Sequence, residues 1–447
     1  MGLLPWRMTR FRRKICFALT ALALFILVVM KILSPDDRIL GDGIEFLPQE
    51  DGDDNAEVHI MPKTSVIKKT WKEKVVSVFN RDTPNEEFPP PNYNIHVFYY
   101  TWYGNPQFDG KYIHWNHPLL PHWNPKIVPE YATGTHTPPD DIGASFYPAL
   151  GPYSSRDPSV IEAHVQQLRT AAIGVLAVSW YPPGMKDDNG EPTESIVPLI
   201  LDVASKYKVK VAFHIEPYKG RDDKSMLDNI KYIIDKYGDH PAFFRYKSKT
   251  GKLLPLFYIY DSYLQNPAIW SQLLKSTGTR SIRNTAYDGI FIALLVEEKH
   301  RQEVLSAGFD GIYTYFATNS FSYGSTQSNW RSIKAFCDSN NLIFIPSVGP
   351  GYIDTSIRPW NGQNTRNRIN GRYYEMSLRA ALETRPEIIS VTSFNEWHEG
   401  TQIETAIPKT RGQTAYSDYL PYKPTVYLDI TRRWAEKFRK EQEKWLQ

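Results

Sequence analysis

The sequence predicts an α/β protein with a (β/α)8 barrel, the TIM-barrel architecture, preceded by a single N-terminal transmembrane helix and a stem. Short apolar segments rich in β-branched residues alternate with helical patterns across residues 93–447, which favours a barrel over an open doubly wound sheet. The glycine-rich dinucleotide-binding pattern that would support an open sheet is absent from the sequence. One apolar run near the N-terminus has the length of a membrane span.

The N-terminal region predicts a membrane anchor. Residues 1–14 carry several Arg and Lys side chains, and residues 15–33 form a 19-residue apolar run that only Lys31 interrupts. Because positive charge precedes the run and acidic residues follow it, we expect residues 1–14 in the cytoplasm and the rest of the chain in the lumen. A cleaved signal peptide is the alternative, but no small-residue cleavage site follows the run.

Residues 34–92 predict a luminal stem. They have little periodicity, contain an acidic cluster between Glu50 and Asp54, and end in three prolines at 89–91. Such a segment holds a folded domain away from a membrane, although an ordered, irregular lobe is the alternative. The folded domain is therefore expected over residues 93–447.

The barrel prediction rests on eight strand candidates and the helical patterns between them. The strand candidates are residues 95–100, 175–180, 209–214, 254–260, 289–295, 311–315, 342–348 and 388–394. The helical patterns lie near residues 158–171, 196–207, 225–237, 268–275, 297–307, 329–340, 373–383 and 431–445. Asp157 followed by Pro158 is typical of a helix start, with a cap residue and then a first-turn proline.

Composition excludes several classes of protein. The formal charge of +3 comes without a long basic block, so nucleic-acid binding is not expected. Cys16 lies in the apolar run and Cys337 is the only other cysteine, which excludes a disulfide-stapled scaffold. No Cys and His residues have metal-ligand spacing, and His398-Glu399 lacks the second histidine of the zinc-protease pattern.

Two carboxylates follow the last predicted strand within one turn. Glu396 and Glu399 are three residues apart in Ser393–Thr401, so both can point into one small volume. Glycosidic bond cleavage needs such a pair, with one group as acid and the other as base or nucleophile. A strand end with charged residues facing water is the alternative interpretation. Between the acids, Trp397 offers a flat apolar face for a sugar ring, and Asn395 and His398 offer hydrogen bonds to hydroxyls.

Five of the other predicted strands, the first, second, third, fourth and sixth, also end in polar and aromatic residues, as expected where a barrel carries its site. Two long connections, residues 102–156 and 349–370, are expected to shape a cleft at the same rim. Glu216 is either a third carboxylate of the site or part of a structural ion pair, and Arg358 is either in the cleft or in a scaffold ion pair. The candidate substrate-binding residues are Tyr103, Trp180, His214, Glu216, Tyr218, Tyr260, Asp261, Tyr315, Tyr352, Asn395, Trp397 and His398.

From about Tyr93 to Lys437 the chain resembles glycoside hydrolase family 99, a family of endo-α-1,2-mannosidases. The resemblance rests on HVFYYTWYG at 96–104, SWYPP at 179–183, HIEPY at 214–218, GPGYID at 349–354 and SFNEWHEG at 393–400. It implies a (β/α)8 barrel without metal or cofactor, and retaining endo-cleavage that releases glucosylated mannose from high-mannose N-glycans. The basic N-terminus, anchor and stem are similar to the family's type II layout in the Golgi membrane.

The resemblance also implies the roles of the two carboxylates. Glu396 would be the base that assists attack by the substrate's own 2-hydroxyl, and Glu399 the acid for the leaving oxygen. The residues alone do not choose between a carboxylate nucleophile and this substrate participation. Two other hypotheses stay open: a weak or inactive paralogue that binds glycans in the lumen, and a glycosidase of different specificity on the same barrel.

Overall fold

The computed structural model describes residues 88–447 except 249, 413, 446 and 447. Its main feature is a nearly closed barrel of parallel strands with helices in the connections. The predicted tail, anchor and almost all of the predicted stem, residues 1–87, lie outside the described residues. Within the part that is described, no helix is long and apolar enough to cross a membrane.

Eight strands form the barrel, as the sequence predicts. In chain order they are β1 (Asn92–Tyr99), β2 (Ile173–Trp180), β3 (Lys210–Ile215), β4 (Leu253–Ile259), β5 (Ile290–Leu294), β6 (Gly311–Tyr313), β7 (Ile343–Ile345 and Ser347–Val348) and β8 (Ile389–Val391).

Strand β7 closes the barrel although it is broken. Its first segment pairs in parallel with β6 and its second with β8, and Pro346 lies between them. Proline has no N–H to give to a ladder, but its carbonyl oxygen accepts the N–H of Ser390 at 3.1 Å. The nine parallel segments are therefore eight strands, and β8 then pairs with β1 through Ile95 and Ile389.

Each barrel strand is followed by a helix. The helices are α1 (Pro158–Thr170), α2 (Val197–Lys206), α3 (Asp223–Tyr237), α4 (Pro267–Leu274), α5 (His300–Ala307), α6 (Trp330–Ser339), α7 (Arg372–Glu383) and α8 (Val426–Trp445). Asp157 caps α1 by accepting the N–H of Ser159 at 2.9 Å, as predicted. Helix α8 begins at Val426, well before the predicted start at Thr431, because Thr425 already accepts the N–H of Leu428 and Asp429.

Aromatic side chains fill the inside of the barrel. The ring of Phe98 lies 4.6 Å from that of His214 and 5.3 Å from that of Tyr258, measured between centroids. Burial lowers the pKa of His214 and of His96 to about 3, so both rings are neutral. Part of the high aromatic content therefore belongs to the core and not to a binding surface.

Loops from distant parts of the chain cover the carboxyl ends of the strands. The two-residue strand Tyr147–Pro148, in the connection after β1, pairs with Ala406–Ile407, which follows β8. The first and last connections of the barrel are thereby held together above the strand ends.

Cys337, in α6, is a buried free cysteine.

Candidate active site

A cleft of about 290 Å³ opens where the loops that follow the barrel strands meet. Its walls come from connections after seven of the eight strands, which is where barrel enzymes carry their chemistry. The lining residues are Tyr100, Trp102, His114, His117, Tyr181, Asp187, Asp188, Asn189, Glu216, Pro217, Tyr260, Tyr315, Ile357, Arg358, Glu396, His398 and Glu399.

Both predicted carboxylates line this cleft. The Glu396 side chain is buried and accepts the backbone N–H of His398 at 3.3 Å and that of Glu399 at 3.0 Å. Ser393 accepts the N–H of Glu396 at 2.8 Å through its hydroxyl oxygen. Glu399 is a quarter exposed, and its carboxylate lies 3.8 Å from the Arg358 guanidinium. The alternative of two acids facing bulk water does not fit this placement.

Glycine is required at the end of this turn. Gly400 has a φ of 60°, in the left-handed region where a side chain is strained. A Cβ at this position would also lie 2.5 Å from the Ile353 side chain and 2.8 Å from the Ile353 carbonyl oxygen. The sequence Glu-Gly therefore lets the chain reverse directly behind the Glu399 side chain.

A buried network behind the turn holds it against α1. The carboxylate of Glu404 accepts the Trp397 indole N–H at 2.9 Å and the Tyr153 hydroxyl at 2.8 Å. Its other oxygen lies 3.0 Å from Nε2 of His164. All four side chains are buried, so these groups have lost water and depend on Glu404 and on one another, the Trp397 indole N–H also reaching the Tyr153 hydroxyl at 3.1 Å.

The pKa of both site carboxyls is raised. Burial, followed by the charge of Glu399, raises the pKa of Glu396 well above its usual value. Burial raises the pKa of Glu399 to about 7, although the Arg358 cation lowers it. The two carboxylates repel each other when both are ionised, so the charge of Glu399 favours the protonated form of Glu396.

Glu216 is a third acid in the cleft. It accepts a hydrogen bond from the Ser179 hydroxyl at 2.8 Å, and its other close neighbour is neutral His214, whose Nδ1 lies 3.5 Å away. Burial raises the pKa of Glu216 to about 8. Among the described residues no arginine lies within salt-bridge distance of this carboxylate, so its position in the cleft favours the interpretation of Glu216 as a third carboxylate of the site.

A chain of hydrogen-bonded histidines lines the cleft wall. Nδ1 of His398 lies 2.6 Å from the Gly143 carbonyl, which can only accept. Burial, with His117 and His114 nearby, lowers the pKa of His398 well below its usual value, so its Nε2 accepts from Nδ1 of His114 at 3.2 Å. Nε2 of His114 lies 3.1 Å from the Asp187 carboxylate, so the contacts run from Gly143 through both histidines to Asp187.

The structure brings six of the predicted site residues together and places eight elsewhere. Glu396, Glu399, Glu216, Tyr260, Tyr315 and His398 line the cleft, whereas Tyr103, Trp180, His214, Tyr218, Asp261, Tyr352, Asn395 and Trp397 do not. For these eight, direct contact with a substrate stays a prediction.

Three of these eight residues support the turn that carries Glu396 and Glu399 from behind. The Asn395 side chain bonds both the N–H and the carbonyl of Tyr100 at 2.8 Å. The Tyr103 hydroxyl donates to the Asn395 carbonyl and accepts the Trp397 N–H, both at 3.1 Å. Trp397 is fully buried, so its flat face belongs to the wall and not to the surface of the cleft.

Several cleft residues were not among the predicted site residues. Trp102 supplies an aromatic wall, with its ring stacked on His114 at 4.5 Å and 9°. Arg358 lies in the cleft and also pairs with Asp354 at 3.1 Å, so both of its predicted roles hold. Asp187 and Asn189 come from the connection after β2, where the acidic run after a strand end was the only available signal.

Among the described residues, no three His, Cys, Asp or Glu side chains are placed to hold a metal ion. The histidines of the cleft instead bond to each other, to carbonyl groups and to Asp187. The absence of a cofactor stays a prediction.

A parallel barrel whose carboxyl end holds paired acids in a cleft is an architecture of glycoside hydrolases. A family model described as Glycosyl hydrolase family 99 matches residues 90–440. The chain therefore belongs to glycosyl hydrolase family 99 and is a glycoside hydrolase, which confirms the resemblance seen in its motifs.

Relatives and a solved structure agree with this family. The chain is 59% identical to the glycoprotein endo-alpha-1,2-mannosidase of Xenopus laevis, over 98% of this chain and 100% of that protein. It is 66% identical to the glycoprotein endo-alpha-1,2-mannosidase-like protein of Homo sapiens, over 79% of this chain and 77% of that protein. The solved GH99 endo-alpha-mannosidase from Bacteroides thetaiotaomicron matches with a TM-score of 0.72 and 46% identity, over 78% of this chain and 98% of that one.

Proposed function

We propose that this glycoside hydrolase is a retaining endo-α-1,2-mannosidase that releases glucosylated mannose from high-mannose N-glycans. The proposal rests above all on the pairing of Glu396 and Glu399 in one turn at the floor of the cleft. The substrate class follows from the relatives named as glycoprotein endo-α-1,2-mannosidases.

In the first step the substrate's 2-hydroxyl attacks the anomeric carbon and the α-mannosidic bond breaks. Glu396 takes the 2-hydroxyl proton while Glu399 gives its proton to the leaving oxygen, which forms a 1,2-anhydro sugar. Water then opens this intermediate, with Glu399 as base and Glu396 returning its proton. Two inversions at the anomeric carbon give net retention.

The surroundings of the two acids suit these roles. The raised pKa of Glu396 makes it a stronger base, and the two backbone N–H groups fix the direction of its oxygens. A pKa of about 7 lets Glu399 donate a proton near neutral pH. The cycle needs one proton on the pair, held by Glu399 when substrate is bound.

The cellular setting is part of the same proposal. Residues 15–33 would hold the enzyme in the Golgi membrane as a single-pass type II protein with its catalytic domain in the lumen. The basic residues before the apolar run and the acidic residues after it support this orientation. Glycoproteins bearing glucosylated high-mannose N-glycans would be its partners.

The test is to incubate the detergent-solubilised full chain with a glucosylated high-mannose N-glycan and to size the products by mass spectrometry. A glucosyl-mannose disaccharide or longer homologue, absent with Glu396→Gln, is the expected result. Release of free glucose would support a hydrolase activity but contradict the proposed substrate specificity.

A second candidate is a luminal glycan-binding protein with weak or no turnover. The 66% identity to the endo-alpha-1,2-mannosidase-like protein of Homo sapiens favours this alternative. Intact glycan after incubation, with binding still measurable by calorimetry on the folded wild-type protein, would establish it in place of the enzyme.

A further inference from the structure

Trp123 is the most exposed large aromatic side chain in the described part of the chain. With 71% of its surface exposed, it leaves most of its indole in water, which is unfavourable for an apolar ring. Its ring is nevertheless fixed, because it stacks on His122 at 3.8 Å and meets the edge of Trp360 at 4.8 Å. We call Trp123, His122 and Trp360 the aromatic platform.

The aromatic platform is tied to the protein through backbone contacts. The Trp360 indole N–H donates to the Leu120 carbonyl at 3.0 Å, and the Leu120 N–H donates to the Ile357 carbonyl at 2.7 Å. Nδ1 of His122 accepts the N–H of Asn124 at 2.9 Å. The exposed Trp123 ring therefore lies on two loops that hydrogen bonds hold together. Binding a ligand would need little further ordering of these loops.

The same two loops build the mouth of the cleft. His117, on the first loop, and Ile357 and Arg358, on the second, line the cleft. Trp360 follows Arg358 by two residues, so their Cα atoms are at most about 7 Å apart. The platform is therefore built on the same two loops that carry His117 and Arg358 of the cleft wall.

The size and surroundings of the platform favour a sugar ring over a protein or membrane partner. A pyranose presents a flat face of C–H groups that packs on an aromatic face, while its hydroxyls stay in water. Exposed Lys126 and Glu130 follow Trp123 in the loop, so the ring is not part of the broad apolar patch that proteins or membranes bury.

We propose that the aromatic platform is an outer binding site for the glycan, where a pyranose outside the cleft stacks on Trp123. This inference rests on the proposed function, because it assumes a branched oligosaccharide whose larger part stays outside the cleft during cleavage. The platform would then select complete glycans over short fragments.

The experiment compares two substrates on the full chain. One is a complete glucosylated high-mannose N-glycan, and the other is a trisaccharide with only the scissile bond and its nearest sugars. The quantity compared is kcat/KM for the complete glycan divided by kcat/KM for the trisaccharide. We expect Trp123→Ala to lower this ratio about fivefold, which corresponds to the loss of one stacking contact. The change should come mainly from a higher KM for the complete glycan. Trp123→Tyr should restore most of the ratio.

Leu253→Ala is the matched control, since this apolar side chain is 61% exposed at the start of β4, on the opposite rim of the barrel. It should leave the ratio unchanged. If Trp123→Ala leaves the ratio unchanged, or lowers kcat/KM equally for both substrates, the proposed outer binding site is wrong. Either result would leave the proposed hydrolase activity uncontradicted. If wild type cleaves neither substrate, the proposed function fails, and calorimetric binding of the complete glycan to wild type and Trp123→Ala still decides the platform.

Discussion

Within one turn, the chain gives two glutamates different surroundings. Glu396 is buried and bonded to two backbone N–H groups, whereas Glu399 is a quarter exposed and faces Arg358. The same residue type can therefore act as a base at one position and as an acid three residues later. The difference comes from burial and neighbours, since the two side chains are chemically identical.

At the residue scale, we predict that Glu399→Gln lowers kcat at least about 100-fold while glycan binding is largely retained, since the amide cannot donate the proton. In wild type the acid is protonated only below its pKa of about 7. The rate of cleavage should therefore fall as the pH rises through about 7, measured as kcat from about pH 5 to pH 9. Equal loss of binding and of turnover would instead indicate a structural role for Glu399.

A second prediction concerns Glu216. Its folded-state pKa of about 8 lies above the ordinary value of 4.5. Between these values the folded protein holds a proton that the unfolded chain releases, so the free energy of unfolding falls as the pH rises through this window. Glu216→Gln keeps an acceptor for Ser179 without the charge and should be more stable than wild type by about 2 kcal/mol at high pH.

Denaturant unfolding of wild type and Glu216→Gln at about pH 5 and about pH 8 tests this, since the difference should appear only at the higher value. A variant that is equally destabilised at both would show that the Gln amide disturbs the wall. Ser179→Ala keeps the Glu216 carboxyl but removes the hydrogen bond that lowers its pKa, so its free energy of unfolding should fall with pH at least as steeply as that of wild type.

At the scale of elements, the segment after β8 is held by contacts with α1 and the first connection. Glu404 receives donors from Trp397 and Tyr153 and lies against His164 of α1. A single buried carboxylate thus links the catalytic turn to the helix that precedes β2. Nothing in the local sequence around Glu404 identifies this role, because all three partners are brought together only by the fold.

We predict that Glu404→Ala lowers the free energy of unfolding by about 3 kcal/mol or more, because it leaves several buried polar groups without partners. Turnover should fall as well, since Trp397 lies between the two catalytic residues. Chemical denaturation followed by circular dichroism measures the first effect. Glu436→Ala, on the exposed side of α8, should change little, and a comparable loss there would argue against the network.

The sequence patterns predicted the helices and strands more accurately than they predicted the contacts between them. All eight strands were predicted because buried parallel strands are apolar on both faces, as in β2, where every residue is buried. The break of β7 at Pro346 and the early start of α8 were missed, since both depend on hydrogen bonds to other parts of the chain.

At the scale of the whole molecule, the catalytic barrel is expected on a membrane anchor that lies outside the described residues. We predict that the full chain stays with membranes during alkaline carbonate extraction, because residues 15–33 have the length and hydrophobicity of a membrane span. Replacing residues 1–33 with a cleavable signal peptide should move the activity to the soluble fraction. Extraction of the full chain by carbonate would contradict the anchor and favour a cleaved segment.

The sequence by itself determined the family, the eight-stranded barrel and the position of Glu396 and Glu399, because these depend on local order, periodicity and contiguous motifs. Only the tertiary structure decided which aromatic rings face the cleft. Trp397, between the two acids, is turned into the core, while Trp102, far away in the chain, lines the wall. The physical reason is that burial and hydrogen-bond partners belong to the packed chain: a strand end specifies which residues are near, and the surrounding loops specify which of them meet solvent.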